Sequence, residues 1–215
     1  MGEAHAIFFW LSGVYTQPLS ALLAQALSQV RGQPVNPLAL PQYAAQVEGL
    51  VIGKIDGLAF CQSLGESAGT EDSPVALRDR ILGGITPNPG AIEVTRMLPE
   101  QIQRWLVVDL PVDWFERIAE QLGVSACFTL EHMVFLPTCH LPSLIPDVFY
   151  HLAFLAQLPM KSCLQIDASG KRAVQALNHG LSTELYVDNR RLERMFIMRR
   201  FIDRPHPVHK PDTTL

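Results

Sequence analysis

Five short apolar runs punctuate the chain, rich in β-branched or aromatic side chains: Ala6–Trp10 (AIFFW), Trp105–Asp109 (WLVVD), Met133–Leu136 (MVFL), Cys163–Asp167 (CLQID) and Thr183–Val187 (TELYV). Each is followed by a turn and then a stretch with helical spacing, the pattern of parallel strands joined by helices that cover both faces of one sheet. The pattern predicts an α/β, Rossmann-like fold with a five-stranded parallel sheet. About ninety residues separate the first run from the second, too many for an ordinary crossover. An insertion is therefore expected between them. Residues 16–86 carry no strand signal and read as four helices: PLSALLAQALSQV, LPQYAAQVEGLVIG, DGLAFCQSLGESAG and SPVALRDRILGGI. Prolines and glycines separate these segments. The expected organisation is a core of residues 1–15 and 87–204, a helical insert over 16–86, and a flexible polar tail, PHPVHKPDTTL, over 205–215.

Composition narrows the class. With 215 residues, 48% of them hydrophobic and 18% charged, the chain has ample material for a packed core, and extensive disorder is excluded. No apolar stretch approaches the ~20 residues of a spanning helix, and no charged segment precedes an apolar one at the N-terminus. No membrane association is expected, and a cytoplasmic location is. Four cysteines lie far apart without metal-ligand spacing, so reduced and mostly buried thiols are expected. The net charge of −4 is uneven: residues 190–210 hold seven basic residues against two acidic ones. Nucleic acid is not the expected partner, because the base-reading motifs and interleaved aromatics are missing. A solvated face is one reading of the basic helix from Arg190 to Arg200, where Leu192, Met195, Phe196 and Ile197 stand among the arginines. Docking on a protein partner or on a second copy is the other.

The order of elements, together with AIFFWLSGVY, TPNPGAIEVTRML and the string from Ser143 to Gly180, resembles the haloacid dehalogenase (HAD) superfamily in the form with a helical cap. That resemblance covers nearly the whole chain and implies the fold just described, with residues 16–86 as the cap. It also implies a chemistry: a nucleophilic aspartate, a second aspartate as general acid and base, a hydroxyl and a lysine that hold the transferring group, and, in phosphatases, a magnesium site. On this chain the nucleophile falls on Trp10, the acid/base on Ser12, the hydroxyl on Val108, the lysine on Ser143 and the last acid on Ala168. Asp167 alone keeps its acid, and Gly13 keeps the turn. The motifs are degenerate, so the expectation is a catalytically inactive HAD-like protein acting by binding, as a scaffold, a regulatory partner or a small-ligand sensor, with no metal and no cofactor. The alternative is an enzyme whose chemistry has moved to Asp109, Asp167 or the cap.

The candidate cavity between cap and core takes in Trp10, Ser12, Asp109, Ser143 and Asp167. Trp10 reads as a plug or as an aromatic floor for a ligand. If Asp109 and Asp167 end the strands flanking the first, their backbones stand about 9–10 Å apart and their side chains can converge. Otherwise Asp109 caps the turn DLPVDWF and Asp167 accepts from loop amides. Among the histidines, His179 reads as a helix C-cap, and His140 beside Cys139 as a poor nucleophilic pair.

Overall fold

The computed structural model describes residues 4–40, 42–141 and 146–203. Ser143 and the tail over 205–215 lie outside them. Five strands, β1 (Ala6–Trp10), β2 (Gln103–Val108), β3 (Met133–Phe135), β4 (Cys163–Asp167) and β5 (Ser182–Leu185), pair in parallel in the order β3-β2-β1-β4-β5. The expected sheet is present. The third run yields its last residue to a helical turn, because Pro137 cannot donate to a ladder and is well placed near a helix start.

β1 is central, with Phe9 opposite Leu106 on one side and Ile166 on the other. Its side chains alternate between the two faces, as strand geometry requires. Ile7 and Phe9 join the larger apolar cluster, whereas Ala6, Phe8 and Trp10 join the smaller one. The larger cluster gathers α5 (Pro89–Arg96), α6 (Val112–Leu122) and α10 (Asn189–Met198). The smaller gathers α8 (Pro146–Leu155) and α9 (Gly170–Asn178), while α7 (Leu136–Cys139) is a single turn after β3.

Between β1 and α5 the chain forms α1 (Leu19–Arg31), α2 (Tyr43–Val51), α3 (Gly57–Ala68) and α4 (Pro74–Gly83). The starts of α3 and α4 follow from local chemistry: the Asp56 carboxylate accepts from the amides of Leu58 and Ala59, and Ser73 Oγ accepts from Ala76 ahead of a helix opened by Pro74. The inserted helices share the larger cluster with the core. Trp114 of α6 is wholly buried against Phe60 of α3, with ring centroids 6.2 Å apart. A Cβ on Gly57 would lie 2.2 Å from the Trp114 indole nitrogen, so only glycine allows this approach. A second contact ties the insert to the far side of the sheet, where His140, in the left-handed conformation, hydrogen-bonds through Nδ1 to the Ile52 carbonyl at 3.0 Å. Among the described residues no helix is long and apolar enough to cross a membrane.

Candidate functional site

A parallel sheet collects its functional groups where the strands end and the loops begin. β1 ends on Trp10, and the loop Leu11–Tyr15 turns back on itself through Gly13 N–H to Thr16 O (2.9 Å). Gly13 sits at φ +94°, and a Cβ there would lie 2.5 Å from that of Ala168, so the loops after β1 and β4 touch. This contact brings Ser12, Asp109 and Asp167 together around one group the sequence reading missed, Arg172.

The Arg172 guanidinium forms a two-pronged pair with Asp167, Nε to Oδ2 at 2.7 Å and Nη2 to Oδ1 at 2.9 Å. Its Nη1 stands 3.8 Å from Asp109 Oδ2, and its Cζ lies 3.9 Å from the centre of the Trp10 ring. Asp167, fully buried, also accepts from Gln165 Nε2 (2.9 Å) and the Ser169 amide (2.8 Å). Asp109 reaches the other way: Ser12 donates to its Oδ1 from Oγ at 2.6 Å and from the amide at 3.3 Å. No other described residue donates to Oδ2. Asp109 does not cap the following helix, which starts at Val112 behind Pro111 without a side-chain cap, because its carboxylate is drawn across to the β1 loop. Asp167 does accept from a loop amide, but its main partner is the guanidinium.

Burial pushes the Asp109 carboxyl above its ordinary value, against the opposing pull of Arg172 and of the Ser12 hydrogen bond. Burial works to lower Arg172, yet the hydrogen bonds and charge of Asp167, with the charge of Asp109, outweigh it and leave the guanidinium above its ordinary value. The arginine is therefore a fixed cation. One face of the site is aromatic, since cations settle on indole rings. The Trp10 ring is wholly buried, and no described residue accepts from its Nε1.

Above this cluster a cavity of about 500 Å³ separates the strand ends from the inserted helices. Ser12, Asp109, Ser169 and Arg172 form its floor, and Leu19, Val47, Val51 and Ile52 its apolar wall. Lys171 and Glu48 stand exposed at the rim. Of the expected lining residues, Ser12 and Asp109 border the cavity. Trp10 and Asp167 do not, because the guanidinium lies over both, and Ser143 is outside the described residues. Arg172 had one signal in the sequence: Lys171 and Arg172 open a helix whose N-terminal dipole disfavours cations, which calls for a nearby acid.

The two other sequence leads resolve simply. His179 is the C-cap of α9. His140 is held by the Ile52 carbonyl, and the Cys139 thiol instead faces His151 Nε2 at 3.6 Å. All four cysteines are free, and burial raises the Cys61 thiol to about 12 and the Cys163 thiol to about 11.

This architecture, a five-stranded parallel sheet with helices inserted after its central strand, is the HAD-like fold. The chain is similar to a HAD family enzyme from Bacteroides thetaiotaomicron in complex with magnesium, at 13% identity over 86% of this chain and 94% of that one, with a TM-score of 0.67. It is similar also to L-2-haloacid dehalogenase from Xanthobacter autotrophicus with chloropropionic acid covalently bound (16% identity, 92% and 86% coverage, TM-score 0.65). A HAD family hydrolase from Deinococcus radiodurans R1 with bound phosphate and sodium matches at 14% identity over 95% of this chain and 100% of that one, with a TM-score of 0.62. No protein-family profile and no curated protein matches the sequence.

A divalent cation does not fit the residues present. Magnesium requires several oxygen ligands around one point, and among the described residues no group of three His, Cys, Asp or Glu side chains converges to hold a metal. The two carboxylates that do converge are already bridged by a guanidinium, whose charge would repel a second cation.

Proposed function

We propose that this chain is a catalytically inactive HAD-fold protein, a pseudoenzyme of the cytoplasm that works by holding a small ligand between its inserted helices and its strand ends. One observation carries the reading: the central strand ends on a wholly buried tryptophan covered by Arg172, at the point where hydrolases of this fold need a carboxylate nucleophile. An indole offers no lone pair for attack on carbon or phosphorus. The remaining acid of the resemblance, Asp167, is fully engaged by Arg172, Gln165 and Ser169. What favours a ligand over a mere relic is the cavity, which the indole does not fill and which joins a polar floor to an apolar wall.

The reading is tested in two parts. Purified protein should leave p-nitrophenyl phosphate and 2-chloropropionate unchanged; turnover that disappears in Asp167→Asn would overturn the inactive assignment. Native mass spectrometry of protein from its own cells should show a small molecule retained on the chain. Retention of another polypeptide instead would favour a scaffold or regulatory role, with the arginines from Arg190 to Arg200 as the contact; of these, Arg199 is already paired with Glu184 at 2.7 Å.

A second reading draws on the 2.6 Å bond from Ser12 to Asp109. A buried carboxylate with raised proton affinity is placed to take the hydroxyl proton as a general base. That reading requires a covalent adduct on Ser12 that Ser12→Ala abolishes.

A further inference from the structure

Three of the four cysteines are placed as small apolar side chains. Cys61, Cys127 and Cys163 are buried, and the thiols of Cys127 and Cys163 donate to main-chain carbonyls, of Ile92 at 3.4 Å and of Pro159 at 3.6 Å. Burial pushes all three thiols up, away from the thiolate that reacts. Cys139 is placed differently. It is partly exposed, and its Sγ faces a ring nitrogen that can accept a proton, His151 Nε2 at 3.6 Å. In the sequence Cys139 adjoins His140, whose ring turns away to the Ile52 carbonyl. The fold supplies the opposition that chain neighbours lack, by setting His151 of α8 against the turn after β3. Both partners are fixed. His151 stands on α8 between Phe149 and Leu152, which are wholly buried. Cys139 closes α7, and α7 is pinned to the insert: a Cβ on Gly53 would lie 2.2 Å from the Pro137 carbonyl oxygen, and His140 holds Ile52.

We propose that Cys139 and His151 form a thiol–imidazole pair that exchanges with low-molecular-weight disulfides, making Cys139 a site of reversible thiolation. The step balances with no further reactant. As Cys139 Sγ attacks one sulfur of a disulfide R–S–S–R, its proton passes to His151 Nε2. A new bond forms between Sγ and that sulfur while the original S–S bond breaks, and the departing RS⁻ takes the proton from the imidazolium and leaves as RSH. Attack on sulfur builds no oxyanion. It therefore needs only a nucleophile and a proton acceptor, the two groups present, whereas acyl transfer also needs donors aimed at a developing oxygen charge. A second thiol returns Cys139 to its reduced form by the same exchange. The pair lies one residue from the contact between His140 and Ile52 of the cavity wall, and the inference does not depend on what the cavity holds.

The test treats the full reduced chain at neutral pH with bis(2-hydroxyethyl) disulfide as the probe and scores each cysteine by mass spectrometry of its peptide. One mixed disulfide should form, at Cys139, and dithiothreitol should remove it. Cys139 in the folded protein should react at least about tenfold faster than the same thiol in the urea-unfolded chain, a conservative share of what a positioned proton acceptor contributes. His151→Ala should abolish that advantage, and added imidazole should restore part of it, which a merely structural role for the ring would not allow. Reaction no faster than in the unfolded chain, or first at another cysteine, would overturn the proposal. So would a rate unchanged in His151→Ala, or a loss that imidazole does not restore at all. Oxidation of Cys139 by hydrogen peroxide without exchange would overturn the disulfide as co-reactant. Should His151→Ala not fold, the comparison of folded and unfolded parent protein decides.

Discussion

Arg172 stands in the first turn of α9, where the helix dipole disfavours a cation, and it is held there by Asp167 at the end of β4 and Asp109 just after β2. Removing it strands a fully buried Asp167. Arg172→Met should therefore destabilise the protein by about 3–5 kcal/mol in urea denaturation. Arg172→Lys should recover only part of that, since an ammonium cannot repeat the two-pronged contact. Asp109 gives a pH-dependent prediction. Its folded value lies above the ordinary 3.8, so the contribution of its protonated form to stability is complete below the unfolded value and is lost as pH rises through the raised folded value. Asp109→Asn has no such titration. The stability difference between parent and variant, measured from pH 3 to pH 7, should move in the variant's favour as pH rises; a difference independent of pH would contradict the raised value.

At the scale of elements, the site depends on how closely the loop after β1 approaches the loop after β4. Gly13 makes that approach possible in two ways: it accepts φ +94°, and it leaves room for the Ala168 methyl. Gly13→Ala should cost about 2–4 kcal/mol, backbone strain and overpacking together. Adding Ala168→Gly removes the clash but not the strain, so the double variant should recover a part and not the whole. Thermal denaturation of the three variants measures this. Full recovery would show that the backbone is unstrained at Gly13.

For the molecule as a whole, the inserted helices and the sheet share one apolar cluster, in which Trp114 of the core helix α6 packs on Phe60 of the insert. Insert and core should accordingly unfold together, with coincident transitions by far-ultraviolet dichroism and tryptophan fluorescence. Trp114→Ala should cost about 3–5 kcal/mol, the usual range for a buried tryptophan, and should separate the transitions. Millimolar magnesium should leave the melting temperature unchanged, because a ligand stabilises only a native state that binds it and Arg172 already bridges the two acids.

What the sequence determined by itself is what local pattern and chain order encode. The apolar runs AIFFW and CLQID coincide with β1 and β4, WLVVD runs one residue past the end of β2, and the ninety-residue gap after the first run required an insertion. That Trp10 and Ser12 follow one another at the end of β1 was legible as well, since a strand fixes its own residues in order. Only the tertiary structure decided what those residues do. Arg172 lies five positions past Asp167 in sequence, yet its guanidinium also reaches Trp10 and Asp109, 162 and 63 positions away in the chain. The same holds for Asp109, whose sequence neighbours suggested a helix cap and whose partner is Ser12, 97 positions distant. A carboxylate chooses among donors by distance and desolvation in the folded chain. Those quantities exist only once β1, β2 and β4 lie side by side.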